Sequence, residues 1–163
     1  SFVHEKVPLG TGGAMLNAFR ALDLKDDILV INGDTLFQFS LPLMAAHHAR
    51  ICAAATMAVA SVKDAHRFGT VKLEGDDIVG FNDASGAHEE GIVNCGAYIL
   101  GREAMSYAPD GPFSAEKTLF PTLVSKKKLC GFKLDVENAF VDIGTPESYA
   151  EISNRLEANA DRS

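Results

Sequence analysis

Apolar residues recur at two different spacings along the chain, and the changes of spacing predict its elements. Phe2–His4 is predicted as a short strand, and a helix follows with Thr11 as its N-cap. The apolar face of that helix consists of Met15, Leu16, Phe19 and Leu22. The continuous apolar run Ile28–Ile31 predicts a buried parallel strand, because such strands are covered on both faces.

The same patterns continue to the end of the chain. They predict, in order, a helix at 41–50, a buried strand at 52–61, a hairpin of 70–74 and 78–81, a strand at 93–100, a helix at 114–125 and strands at 129–134 and 139–142. A closing helix is predicted after Thr145, with Pro146 at its first position and Tyr149, Ile152 and Leu156 on its apolar face. This alternation predicts an α/β fold, a Rossmann-like mixed and mainly parallel sheet flanked by helices with a small hairpin subregion.

Composition narrows the classes of function. The 163 residues fit one domain, and 47% hydrophobic with 23% charged residues is ordinary for a globular protein. A net charge of −7 argues against a nucleic-acid partner. No apolar run reaches membrane-spanning length, so no membrane partner is expected. Cys52, Cys95 and Cys130 fit neither a disulfide framework nor a zinc site, so we expect a cytoplasmic protein.

A glycine-rich turn opens the first predicted helix. Gly10, Thr11, Gly12 and Gly13 would expose backbone N–H groups at a helix N-terminus, which suits an anion. The alternative is a tight turn without a ligand, since one glycine-rich loop is weak evidence. Glu5 precedes this turn, and its carboxylate could accept two parallel hydrogen bonds from guanine; the alternative is an exposed glutamate.

Two distant aspartates each follow an apolar strand and lie beside a glycine. Asp34 comes after Ile28–Ile31, and Asp142 ends the last predicted strand. Ligands of open α/β sheets gather at the carboxyl ends of strands, so both carboxylates could hold Mg²⁺ there. Aspartate beside glycine is also common in turns, which is the alternative for each residue taken alone.

Five segments occur in the order typical of the sugar-1-phosphate nucleotidylyltransferases, and the chain resembles the guanylyltransferase branch most closely. They are Glu5 with 8–14, Asn32-Gly33-Asp34, Arg67-Phe68-Gly69, 94–98 and 140–146. The resemblance implies transfer of a nucleotidyl group, with GTP favoured, from a nucleoside triphosphate to a sugar 1-phosphate. It also leaves room for a homo-oligomer.

The resemblance implies roles for individual residues. Asp34 and Asp142 match the Mg²⁺ ligands, and the turn that contains Thr11 and Gly12 matches the nucleotide-binding segment, in which Glu5 and Gly10 contact the base. Gly69 matches a backbone contact to the sugar. Asn94 matches a contact to sugar hydroxyls, or it is a strand-end asparagine that satisfies local backbone.

The chain also departs from the family pattern. The G-G-x-G-T-R loop that wraps the triphosphate is not in this sequence, nor is the lysine of the P-K segment, so we expect that an N-terminal part is missing and that this chain alone is inactive. Where the family often has Glu-Lys, the chain reads Phe81-Asn82-Asp83-Ala84 and has no cation. Binding of the sugar phosphate is then either lost or moved to another group such as Arg67 or Lys117.

The expected division is a nucleotide and metal part at 1–66, a sugar-binding part at 67–135 and a second metal ligand with the closing helix at 136–163. A non-catalytic nucleotide-sugar-binding or regulatory relative is the alternative function. A dehydrogenase domain is disfavoured because G-x-G-x-x-G is absent.

Overall fold

The apolar runs assemble into two sheets and surrounding helices in a computed structural model, which describes residues 2–37, 39–63, 65, 69–82, 90–134, 140–150 and 152–153. The helices are α1 (Gly10–Ala21), α2 (Leu41–Ile51), α3 (Arg102–Met105), the π-helix (Ala115–Leu119) and α4 (Phe120–Ser125). The strands are β1 (Ile28–Ile31), β2 (Thr35–Phe37), β3 (Ala55–Val62), β4 (Thr70–Glu74), β5 (Asp77–Asn82), β6 (Gly91–Leu100), β7 (Leu129–Lys133) and β8 (Phe140–Asp142).

The main sheet is mixed, as expected, with strand order β1-β6-β3-β7-β5-β4. Only β3 and β7 pair in parallel within the described strands, so the expectation of a mainly parallel sheet is wrong. The reason is the position of β6, which lies between β1 and β3 and runs antiparallel to both. The predicted α/β class with a sheet flanked by helices is confirmed.

A buried core covers each face of this sheet. On one face, α1, the π-helix and α4 pack Leu16, Phe19, Leu119 and Phe120 against Tyr98. On the other face, Met44 of α2 packs against the opposite side of β6. The alternation of side chains along β6 therefore supplies both cores at once.

The start of the chain differs from the prediction. Residues 2–4 form no strand, and the side chain of Phe2 is almost fully exposed. Helix α1 begins at Gly10 rather than after Thr11, and it ends at Ala21, so Leu22 is an exposed C-cap residue instead of part of the apolar face.

Strand β1 is not a buried parallel strand. It pairs antiparallel with β6 alone in the described sheet, and its side chains alternate between half-buried and exposed. Ile28 and Val30 pack on the core, whereas Leu29 and Ile31 face outward. The apolar run marked a strand correctly, but the strand lies at the edge of the described sheet, and no described element buries the face that carries Leu29 and Ile31.

The predicted elements of the rest of the chain occur in the predicted order, and the structure adds two that the sequence analysis did not predict, β2 and α3. The hairpin β4–β5 and the N-cap at Ser114 form as expected, with Ser114 Oγ accepting from Lys117 N at 3.1 Å. Residues 146–150 are helical behind Thr145, whose Oγ1 accepts from Ser148 N at 3.2 Å. Tyr149 is exposed rather than on the buried face, while Ile152 is buried. Leu156 lies outside the described residues.

Within the described part of the chain, none of the helices has both the length and the apolar character needed to cross a bilayer.

Candidate nucleotide site

The second sheet brings the two aspartate segments together. Strands β2 and β8 pair antiparallel with Thr35 opposite Asp142, and Ile143 N donates to Asp34 O at 2.8 Å. Residues separated by more than a hundred positions are thus neighbours on adjoining strands. The Asp34 side chain is exposed, and Thr35 Oγ1 lies 3.5 Å from its Oδ1. The Asp142 side chain lies outside the described part, so the shared metal role of the two carboxylates stays a prediction.

A bulge in β6 supports the loop that carries Asp34. Tyr98 is opposite Met57 and Asn94 is opposite Val59, so residues 95–97 of β6 span a single residue of β3. Gly96 has a φ of +78°, and its carbonyl oxygen accepts from Asn32 N at 2.8 Å. Such bulges are common next to active sites because they redirect a strand. This bulge joins the central strand to the Asn32-Gly33-Asp34 loop.

Asn94 is held by its own strand. Its Nδ2 donates to Tyr98 Oη at 2.8 Å, and its Oδ1 accepts from Gly96 N at 2.9 Å. Both ends of the amide are therefore engaged locally, as in the alternative that the sequence left open, although Asn94 lies within β6 rather than at its end. Its predicted contact to sugar hydroxyls would require at least one of these bonds to be shared.

Tyr98 is buried beneath this amide. Burial is the main cause that raises the pKa of its phenol, the hydrogen bond from Asn94 opposes the rise, and the negative charge of Glu116 adds to it. The ring packs on Phe120 with 4.8 Å between centroids. Tyr98 is thus a neutral core residue whose hydroxyl reaches the bulge.

The glycine turn is packed tightly against the loop before the π-helix. Gly12 N and Gly13 N both donate to Phe113 O, at 3.0 and 3.2 Å, and Phe113 N donates to Leu9 O at 2.9 Å. A Cβ at Gly12 would lie 2.1 Å from the Phe113 ring, and one at Gly10 would lie 2.7 Å from Phe113 O. The glycines are therefore required by close packing. The amides of Gly12 and Gly13, which the sequence assigned to an anion, are used within the protein.

Glu5 approaches the same turn from the chain's N-terminal side. Its Oε2 accepts from Leu9 N at 3.1 Å, and the residue is exposed. The carboxylate thus folds back on residues 5–9 just before α1. A carboxylate has several acceptor positions, so this bond leaves capacity for a base.

Thr11 does not cap α1. The N-cap is Leu9, whose side chain makes no capping hydrogen bond, and the Thr11 hydroxyl lies inside the first turn. Thr11 Oγ1 accepts from Ala115 N at 2.9 Å and donates to Glu116 Oε2 at 2.7 Å. Sequence reasoning missed Glu116, because nothing in local spacing pairs it with a residue 105 positions away.

The region predicted to hold the sugar is described only in part. A Cβ at Gly69 would lie 3.0 Å from Asn82 O, so this glycine lies against β5. Asn82 Nδ2 donates to Thr70 Oγ1 at 3.1 Å and ties the two hairpin strands. Lys117 is exposed on the π-helix. Arg67 and Asp83 lie outside the described residues.

The neighbouring histidines of α2 face different partners. His48 is buried, with Nδ1 2.7 Å from Thr56 Oγ1 and Nε2 3.3 Å from Asp27 Oδ2. His47 packs edge-on against Phe132. Among the side chains that the structure describes, no three His, Cys, Asp or Glu residues gather as a metal cluster. His66 and His88 lie outside the described residues.

The fold and these motifs are those of the nucleotidyl transferase family. The sequence profile of the family described as nucleotidyl transferase matches residues 1–159, and the chain belongs to that family. This confirms the resemblance on which the site assignments were based.

Curated relatives narrow the comparison. The chain is 34% identical over 154 residues to the D-glycero-alpha-D-manno-heptose 1-phosphate guanylyltransferase of Aneurinibacillus thermoaerophilus, covering 94% of this chain and 65% of that protein. It is 32% identical to the enzyme of the same name from Campylobacter jejuni, covering 89% and 62%. It is 31% identical to the mannose-1-phosphate guanylyltransferase of Mycobacterium tuberculosis, covering 95% and 44%. The chain thus spans less than two thirds of the length of these relatives.

A solved structure shares the fold. HddC from Yersinia pseudotuberculosis, in its complex with GMP-PN, superposes with a TM-score of 0.80 at 27% identity, covering 96% of this chain and 66% of that one. A Bacillus anthracis protein described as a putative glucose-1-phosphate thymidylyltransferase, in complex with sucrose, has a TM-score of 0.71 at 18% identity over 92% and 61%, which shows the shared fold alone.

Proposed function

We propose that the protein carrying this chain transfers a guanylyl group from GTP to a sugar 1-phosphate, forming a GDP-sugar and pyrophosphate. The observation that carries this proposal is the match, over 94% of the chain, to a relative named as a heptose 1-phosphate guanylyltransferase. The relatives named as heptose and mannose enzymes favour a sugar of manno configuration.

The reaction needs alignment more than activation. A phosphate oxygen of the sugar 1-phosphate attacks the α-phosphorus of GTP, and the bond to pyrophosphate breaks. The phosphate monoester is already a nucleophile, so no general base is needed. Catalysis then depends on holding two anions in line and on offsetting their repulsion.

Asp34 and Asp142 would hold the Mg²⁺ of this reaction. The donor set fits, because Mg²⁺ prefers carboxylate oxygens and completes its coordination with waters and substrate phosphates. Support comes from the pairing of β2 with β8, which places the backbones of both residues side by side, and from the exposure of Asp34. The ion, when bound, would supply charge neutralisation at the phosphates.

Glu5 and the Gly10–Gly13 turn would receive the guanine base rather than a phosphate. The turn's amides at Gly12 and Gly13 are occupied by Phe113 O, and the nearby carboxylates of Glu5 and Glu116 would repel a phosphate. A carboxylate suits the paired N1–H and N2–H donors of guanine. Gly69 and Asn94 would contact the sugar, with Lys117 or Arg67 on its phosphate.

The three cysteines are free thiols, which supports a cytoplasmic enzyme.

Since the 163 residues do not include the G-G-x-G-T-R loop, we expect little or no turnover from this chain by itself.

The test is an assay of the native protein that carries this sequence. Purified enzyme is mixed with Mg²⁺, one of GTP, ATP, UTP, CTP or dTTP, and mannose 1-phosphate or D-glycero-α-D-manno-heptose 1-phosphate. We expect pyrophosphate to be released when the triphosphate is GTP. Addition of EDTA should stop this release. Faster release with a pyrimidine triphosphate would contradict the proposed base, and no release with any pair would contradict the transferase.

A non-catalytic nucleotide-sugar-binding relative is the second candidate. It is favoured by Asn82-Asp83, which stand where the family often has Glu-Lys. The side-chain amide of Asn82 is bonded to Thr70. Binding of a GDP-sugar without any pyrophosphate release in the same assay would select this candidate.

A further inference from the structure

The hydroxyls of two segments converge on one oxygen of Glu116. Thr11 Oγ1 from the glycine turn and Ser114 Oγ from the loop before the π-helix each donate to Glu116 Oε2 at 2.7 Å. A hydroxyl has one proton to donate, so both donors are committed to this carboxylate. Bonds to an ionised acceptor are roughly twice as strong as neutral ones.

Thr11 is the one residue of Gly10–Gly13 that has a side chain. The helix it belongs to has no side-chain N-cap, and its Gly12 and Gly13 amides are bonded to the backbone of Phe113. The Thr11 hydroxyl also accepts from Ala115 N at 2.9 Å. The Thr11 hydroxyl is therefore the one side-chain hydrogen-bonding group within Gly10–Gly13 that can fix the turn's position.

Glu116 also acts on a buried side chain of β6. Its charge is one of the causes that raise the pKa of Tyr98, after burial, and Tyr98 Oη accepts from Asn94 Nδ2. The carboxylate thus bonds α1 to the segment that begins the π-helix, and it lies within electrostatic range of Tyr98 in β6. π-helical turns are frequent at functional sites, and this one places Glu116 one residue after its start.

We propose that Glu116 is a positioning residue of the nucleotide site, which holds the Gly10–Gly13 turn in place through the hydroxyl of Thr11. The inference rests on the proposed function, since that function places the base of GTP at this turn. Glu116 acts through Thr11 and does not touch the reacting groups. Its loss should therefore weaken GTP binding equally in the ground state and in the transition state.

The experiment measures kcat and KM for GTP in the native protein. Glu116→Ala is expected to raise KM about tenfold with kcat within about twofold, the result of losing an interaction made equally in ground and transition states. Thr11→Val should raise KM by a similar factor. The double variant should be no worse than either single one, because both break the same contact.

Two further variants separate positioning from general loss of structure. Thr11→Ser keeps the hydroxyl. Its KM for GTP should lie within about twofold of that of the unmodified protein, because the hydrogen bond to the charged acceptor is retained. Glu103→Ala removes an exposed carboxylate that is ion-paired with Lys128 and should leave KM unchanged.

The outcomes distinguish the two proposals. A native protein that neither binds GTP nor releases pyrophosphate overturns the proposed function and this inference with it. A native protein that is active while Glu116→Ala leaves KM unchanged, or while the double variant is additive, overturns the role of Glu116 alone. If Glu116→Ala does not fold, the comparison of Thr11→Val with Thr11→Ser decides, and equal KM values would overturn the inference.

Discussion

Gly96 illustrates how one residue controls the geometry of a loop. Its φ of +78° lies in the left-handed region, and a Cβ there would lie 2.6 Å from Asn32 Nδ2. The position therefore excludes a side chain for two reasons, backbone strain and contact with Asn32. Asp34 follows Asn32 by two residues. A change in the bulge would therefore displace the loop that carries the predicted metal ligand.

Gly96→Ala should lower the free energy of unfolding by about 1–3 kcal/mol and reduce turnover, because the strained backbone and the displaced Asn32 both disturb the loop. Urea unfolding and the pyrophosphate assay measure the two effects. Gly75→Ala is the matched control, since Gly75 has a φ of +62° with nothing within 4 Å of its Cβ position. Equal losses of stability in both variants would show that contact with Asn32 does not matter.

Asp34→Asn and Asp142→Asn should each reduce turnover by about a hundredfold or more, because an amide cannot offset phosphate charge as a carboxylate–metal pair can. Circular dichroism should show an intact fold. Asp76→Asn, which removes an exposed carboxylate ion-paired with Arg50, serves as the control. Undiminished GDP-sugar synthesis by Asp142→Asn would refute the metal assignment.

At the scale of elements, the structure depends most on which strands meet. Strand β6 supplies both cores and carries the bulge, while β1 lies at the edge of the described sheet with Leu29 41% and Ile31 55% exposed. An apolar edge strand presents unpaired backbone N–H and C=O groups and an exposed apolar surface, and another chain can bind to both. Among the described strands, we expect this edge to support self-association of the 163-residue chain.

The double variant Leu29→Lys with Ile31→Lys should shift the 163-residue chain from self-associated species to monomer, because charge on an edge strand opposes edge pairing. Sedimentation velocity at several concentrations measures the shift. Val79→Lys is the control, since Val79 is 42% exposed on β5, which is paired on both sides. A chain that is monomeric before any substitution would contradict the expectation.

At the scale of the whole molecule, stability should fall at alkaline pH. Burial raises the pKa of the Cys95 thiol to about 12 and also raises the pKa values of Cys130 and Tyr98. An unfolded cysteine loses its proton near pH 8.5, whereas the folded chain keeps it, so the native state binds more protons in between. The stabilisation is complete below about pH 8.5 and is lost as pH rises towards 12.

The free energy of unfolding should therefore decrease between about pH 8.5 and pH 12, by up to about 1.4 kcal/mol per pH unit from Cys95 alone. Urea titrations at a series of pH values measure this slope. Cys95→Ala should make this slope shallower, because it removes the buried thiol. A slope that Cys95→Ala leaves unchanged would contradict the contribution of Cys95.

Much of the local structure could be predicted. The hairpin at Gly75 and the cap at Ser114 form where spacing and turn residues placed them, since their partners lie a few positions away. The ordered motifs also identified the family correctly. The pattern was misleading at Thr11, which resembles an N-cap but bonds to Ala115 and Glu116, and at Ile28–Ile31, whose apolar run does not reveal which face is covered.

The amino-acid order by itself determined most of the elements, the family and the choice of Asp34 and Asp142 as a pair, because these depend on short-range spacing and on residue type. Only the tertiary structure decided that β6 separates β1 from β3, that β2 pairs with β8, and that the amides of Gly12 and Gly13 bond to Phe113. Those contacts join residues far apart in the chain. The packing of whole helices and strands selects the partners of these residues. The spacing of apolar residues along the chain does not contain that information.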